Sequence, residues 1–159
     1  MAAESKKKIF RLPSRKALII AGAIILLAAV LWVIFGRGLV GERQVEFTQL
    51  TKDNIPKSIE TEMIPEYREL ERALGCLIDG RVYVVVTRGE KPTAGYEAAI
   101  EEITLEKTDS GVNMKVHALF TDPPSDTAVS QISTYPYTVA ETELTSLPDT
   151  IELIVRYGE

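Results

Sequence analysis

Cys76-Leu77-Ile78-Asp79-Gly80-Arg81-Val82-Tyr83-Val84-Val85-Val86 is the stretch whose reading decides the fold. A two-residue hairpin loop needs left-handed backbone, which Gly adopts freely and Asp tolerates, so Asp79-Gly80 marks a tight turn. The β-branched run that follows favours an extended chain. A β-hairpin is expected here.

Downstream the same two-residue period continues. Residues 96–107 read as the next strand and Asp109-Ser110-Gly111 as its turn. Val112, Met114, Val116, Ala118 and Phe120 then alternate on one face of another strand, with Asn113, Lys115 and His117 on the other. Thr121-Asp122-Pro123-Pro124-Ser125-Asp126 is a rigid polar connection that no central strand tolerates. Residues 137–140 and 151–157 are the last strand candidates. Upstream, Val45 and Phe47 fit a short strand. Asp53 or Asn54 is placed to cap a helix over 55–74, whose Ile59, Met63, Tyr67, Leu70 and Leu74 recur at helical spacing. Pro65 must kink or split that helix, because its ring lacks a donor and clashes with the preceding turn. The expected class is α+β, mainly antiparallel β in a small barrel or sandwich with one packed helix, preceded by an N-terminal transmembrane helix.

That last element rests on residues 17–35, ALIIAGAIILLAAVLWVIF, an apolar run of 19 residues. As a helix it reaches roughly 28 Å, about the thickness of a bilayer's hydrocarbon core. It has no polar stripe, as a buried core helix would. Six basic residues precede it against the single acid Glu4, which keeps the N-terminus cytoplasmic. Its length, its Trp32-Val33-Ile34-Phe35 end and the absence of a nearby cysteine fit a signal anchor better than a cleaved signal peptide or a lipoprotein. The expected organisation is therefore a basic cytoplasmic tail over 1–16, a transmembrane signal anchor over 17–35, a glycine-rich tether over 36–44 and an extracytoplasmic domain over 45–159. The location implied is the cell membrane, crossed once.

Beyond residue 35 the chain holds 12 Lys and Arg against 22 Asp and Glu, a net charge of −10. Phosphate backbones repel such a domain, which argues against nucleic-acid binding. The single cysteine, Cys76, excludes an internal disulfide, so packing alone must hold the domain. No nucleophile–base pair, phosphate loop, dinucleotide fingerprint, HExxH or CxxC motif is legible, so no catalytic residue, metal ligand or cofactor is assigned. An enzyme would have to rely on His117, the only histidine, on the polar face of its strand.

The segment that looks specified is the connection after Val86, in which Gly89 and Gly95 permit positive φ and Pro92 stiffens the middle. Glu90, Lys91, Pro92, Thr93, Ala94, Gly95 and Tyr96 are then either hairpin geometry or a preorganised partner-binding loop. Val82-Tyr83-Val84-Val85-Val86, this Gly89-Glu90-Lys91-Pro92-Thr93-Ala94-Gly95-Tyr96 segment, the strand to Ile100 and Ile103, and Tyr135-Pro136-Tyr137 together resemble the PrcB C-terminal-like domain of the bacterial protease complex subunit PrcB family. The resemblance implies a non-catalytic extracytoplasmic accessory subunit that stabilises a secreted or surface protease in the bacterial envelope. Ala94 stands where a second glycine is common, and a transmembrane anchor replaces lipidation. Lys91-Pro92-Thr93-Ala94-Gly95-Tyr96 is also similar to the Asn-Pro-Thr-Thr-Gly-Tyr loop of chagasin-type cysteine protease inhibitors, which implies a tethered inhibitor as the alternative. Tyr135, Pro136 and Tyr137 are the expected secondary contact.

Overall fold

The computed structural model describes residues 42–158. Among the described residues eight strands form two four-stranded sheets that face each other as an open sandwich, not a closed barrel. In chain order they are β1 (Arg43–Gln44), β2 (Phe47–Gln49), β3 (Glu71–Ile78), β4 (Arg81–Arg88), β5 (Glu97–Thr108), β6 (Gly111–Thr121), β7 (Tyr137–Thr142) and β8 (Thr150–Gly158). One sheet runs β1-β5-β6-β8 and the other β2-β7-β4-β3.

The β3–β4 hairpin forms as the sequence expects, in full register from Ile78 opposite Arg81 to Glu71 opposite Arg88. Asp79 at φ 49° and Gly80 at φ 76° make the left-handed pair that such a turn requires. The alternation in β6 also holds: Met114, Val116, Ala118 and Phe120 are fully buried and pack across the sandwich on Val82, Val84 and Val86 of β4. Those β4 valines face one way, while Val85 faces the other and meets the helical segment. A strand buried on both faces reads as a continuous apolar run, as 82–86 does.

Three expectations change. The helix over 55–74 is much shorter. A wide helical turn at Ile59–Met63 passes into a single α-helical turn, α1 (Ile64–Tyr67), and the chain is extended again from Glu71. Pro65 lies in the first turn of α1, directly after a chain that is already helical, and the widened turn before it takes up the missing donor and the clash that a regular helix would suffer. Leu74 is a strand residue pointing at Ile59 and Ile64, and Leu70 is exposed. Asp53 and Asn54 lie in a separate turn, Lys52–Asn54, not at the cap of the helix.

Second, β8 runs parallel to β6, from Thr150 beside Asn113 to Gly158 beside Thr121, so the sheets are not wholly antiparallel. The 143–149 connection leaves one sheet at β7 and enters the other at its edge, so no tight turn forces reversal. Third, the first strand is divided between the sheets, β1 pairing with β5 and β2 with β7, with buried Val45 at the crossing. Residues 42–44, the end of the expected tether, are already engaged: Glu42 pairs with Lys115 at 2.5 Å, and Arg43 and Gln44 lie opposite Leu105 and Thr104.

Among the described residues no helix is long and apolar enough to cross a membrane. The span expected at 17–35 lies outside the described residues.

Candidate functional site

β4 ends by burying Thr87, Arg88 and Gly89 beneath the loop that follows. Thr87 donates its hydroxyl to the Leu70 carbonyl at 2.7 Å. Gly89, at φ 75°, passes so close to Glu69 that a Cβ there would sit 3.3 Å from its carbonyl oxygen. Only glycine suits both constraints.

Arg88 is the largest fully buried side chain among the described residues, with 2% of it exposed. Its Nη1 donates to the main-chain carbonyls of Glu97 at 3.1 Å and Thr121 at 2.7 Å, and its Nη2 pairs with Asp122. The guanidinium lies between two rings, 5.1 Å from the centre of Tyr96 and 4.9 Å from that of Phe120. Such a planar cation satisfies carbonyls and stacks on rings at once, which a lysine would not. It thereby fastens the start of β5 to the end of β6, and with them the C-terminal end of the 89–96 loop.

The rest of the loop is laced to residues 130–136. Lys91 and Thr134 exchange two main-chain hydrogen bonds of 2.9 Å, Thr134 Oγ1 donates to the Thr93 carbonyl at 2.7 Å, and Ala94 N–H donates to the Ser130 carbonyl at 3.0 Å. Arg88 N–H donates to the Pro136 carbonyl at 3.0 Å. Gly95, at φ 92°, lies where a Cβ would come within 2.9 Å of Pro123. The two segments singled out in the sequence, 90–96 and 135–137, are thus brought together into one surface. Glu90, Pro92 and Gly95 are exposed, and Lys91, Thr93, Ala94, Tyr96, Tyr135, Pro136 and Tyr137 are half-buried.

Beside this surface runs a groove of about 420 Å³ lined by Tyr96, the first residues of β5, Tyr135, Pro136, Tyr137, Gln49 and Lys52. Arg68 stacks over the Tyr135 ring at 4.4 Å. Burial pushes the Tyr137 phenol up, and the charge of Glu60 adds to the shift. Sequence reasoning placed Arg88 at the start of the specified connection without giving it a role, and missed Gln49 and Lys52. Arg88 left one signal, a charge closing an apolar strand just before a glycine.

His117 lies on the outer face of β6, opposite Glu102 and beside Ile154. Its strand neighbours Lys115 and Glu101 are engaged elsewhere, Lys115 with Glu42 and Glu101 with Arg156. Cys76 lies by a separate cavity of about 340 Å³ under α1, where burial raises its thiol pKa.

No curated protein and no solved structure matches the chain. Residues 82–143, which run from β4 through the laced loop, β5 and β6 to the end of β7, match the family model PrcB C-terminal, the family that the strand and loop resemble.

Proposed function

We propose that this chain is a non-catalytic accessory subunit of a protease or envelope complex, held at the cell membrane by residues 17–35 with the folded domain outside. The family match, to a group of protease-complex subunits, supports a protein partner of that general kind. The observation that carries the reading is the fusion of 90–96 and 135–137 into one rigid, tyrosine-rich surface. A surface already held by main-chain hydrogen bonds loses little entropy on binding, and tyrosine is favoured at interfaces. The inhibitor alternative asks the loop to project into a protease cleft. Lys91, Thr93 and Ala94 are half-buried and tied to 130–134, which favours a broad contact over a plug.

The test is recovery of partner from native membranes with Lys91→Ala and Thr93→Ala. Among the described residues neither side chain makes an ion pair or a long-range hydrogen bond, so both variants should melt like the parent, within about 0.5 kcal/mol, yet recover less partner. Unchanged recovery would move the binding surface elsewhere. Stoichiometric block of a protease, with no change in partner abundance on deletion, would favour the inhibitor. For the topology, protease added to intact spheroplasts should release the region beyond Gly41, and protection of that region would reverse the orientation.

A further inference from the structure

The 43–49 segment follows β5 only as far as Val45, whose N–H donates to the Ile103 carbonyl at 2.9 Å. From Phe47 onward it pairs with β7 in the other sheet. The first half of β5 is left with β6 on one side and, among the described residues, no strand on the other. In an antiparallel strand, alternate residues turn both main-chain groups to the same side. Ile100 turns its N–H to the open side, where it meets the Gln49 side chain, whose Oε1 accepts at 3.2 Å. Glu97 turns its carbonyl the other way, to Arg88. Ala98 therefore presents its N–H and carbonyl to the open side.

A side-chain amide thus stands where the peptide group of a neighbouring strand would bond, and next to it two main-chain groups lie on the groove bounded by Tyr96 and Tyr137. An unpaired edge of this kind is a template for an added strand. Among the described residues, the surroundings also carry positive charge that no ion pair uses. Lys52 lines the groove, Arg68 stacks on Tyr135 and Lys91 is bonded to Thr134. None of these three cations is in an ion pair among the described residues, whereas Arg43, Arg81, Arg88, Lys115 and Arg156 all are. Glu97 is the only carboxylate among the lining residues.

We infer that the open edge of β5 at Ala98 receives an extended segment of the partner polypeptide as an added strand, with acidic side chains of that segment directed to Lys52 and Arg68. This rests on the partner-binding reading above.

The probe is an acetylated heptapeptide of alternating valine and glutamate, added to the full chain in phosphatidylcholine nanodiscs. Binding should slow amide exchange at Ala98 at least tenfold. The same peptide with N-methylated amides on its pairing edge should bind at least tenfold more weakly, and Lys52→Glu should weaken the acidic peptide roughly fivefold, as expected for losing one exposed ion pair. Absence of protection at Ala98, equal binding of the methylated peptide, or preference for a lysine version overturns the inference. To separate it from the reading it rests on, p-benzoylphenylalanine is placed at Ala99 in the groove or at Pro92 in the loop, in native membranes. Crosslinks from Pro92 alone would overturn strand addition and leave partner binding standing. Crosslinks from neither would overturn both.

Discussion

Arg88→Met removes the guanidinium and keeps most of the stem that fills the space between Tyr96 and Phe120. What it leaves behind sets the cost. The Glu97 and Thr121 carbonyls lose the donor that reaches them at 3.1 and 2.7 Å, in a site from which the arginine side chain is 98% withdrawn from water. A buried acceptor left without its donor costs about 1 to 3 kcal/mol. Taking the low end for each, since Glu97 and Thr121 are the terminal residues of their strands and water can reach such ends, gives about 2 to 3 kcal/mol. The Asp122 ion pair contributes far less, because 61% of that carboxylate side chain is exposed. Solvent screening holds such a pair to about 1 kcal/mol at most. Asp122→Asn should therefore be mild where Arg88→Met is severe. In urea unfolding of the fragment from Gly41 onward, with a slope of about 1.2 kcal/mol per molar, the arginine variant should lose roughly 2 M of midpoint and the aspartate variant less than half as much. Equal losses would mean that the ion pair dominates, and a loss under about 1 kcal/mol for Arg88→Met would refute the carbonyl accounting.

Gly95→Ala should cost about 2 to 3 kcal/mol by melting, since it adds a collision with Pro123 to the strain of φ 92°, whereas Gly80→Ala, with open space around it, should cost only about 1; equal costs would remove the collision. Glu42 should titrate below the ordinary glutamate range by NMR, because Lys115 first hydrogen-bonds its carboxylate and then attracts it by charge, and Lys115→Met should return it to normal. A carboxyl depressed on folding adds stability that is present above its unfolded value and is lost as pH falls through its folded value, so the Glu42 contribution should fade only in acid. Cys76 should react slowly with a thiol reagent at pH 8 until urea unfolds the domain, because burial raises its pKa; rapid reaction in the native state would contradict that placement.

The hairpin, the β6 alternation and the connection at 121–126 were legible because each is fixed by residues near one another in sequence: a left-handed dipeptide, a period of two, a pair of prolines. The helix was overread because Leu70 and Leu74 continue a helical spacing by coincidence, while the edge position of β3 and its packing on Ile59 and Ile64 belong to tertiary structure. The direction of β8 was illegible for a related reason, since a strand joined by a connection between sheets carries no local mark of which neighbour it will meet. At the site, the glycines and Pro92 announced a shaped loop, but its union with 135–137 depends on Thr134 and on Arg88, and neither has a motif to declare it.

The crossing at Val45 couples the two layers of the sandwich through seven residues of continuous backbone, 43–49, with a 2% exposed valine as the rivet. One layer cannot slide over the other, or peel away to bare the shared core, without releasing that segment from β5 or from β7. Opening the sandwich at this point therefore carries with it the loss of a strand pairing at one end of the segment, and a load arriving along the chain from residue 42 meets β5 first and β7 only after Val45 has been drawn from the core.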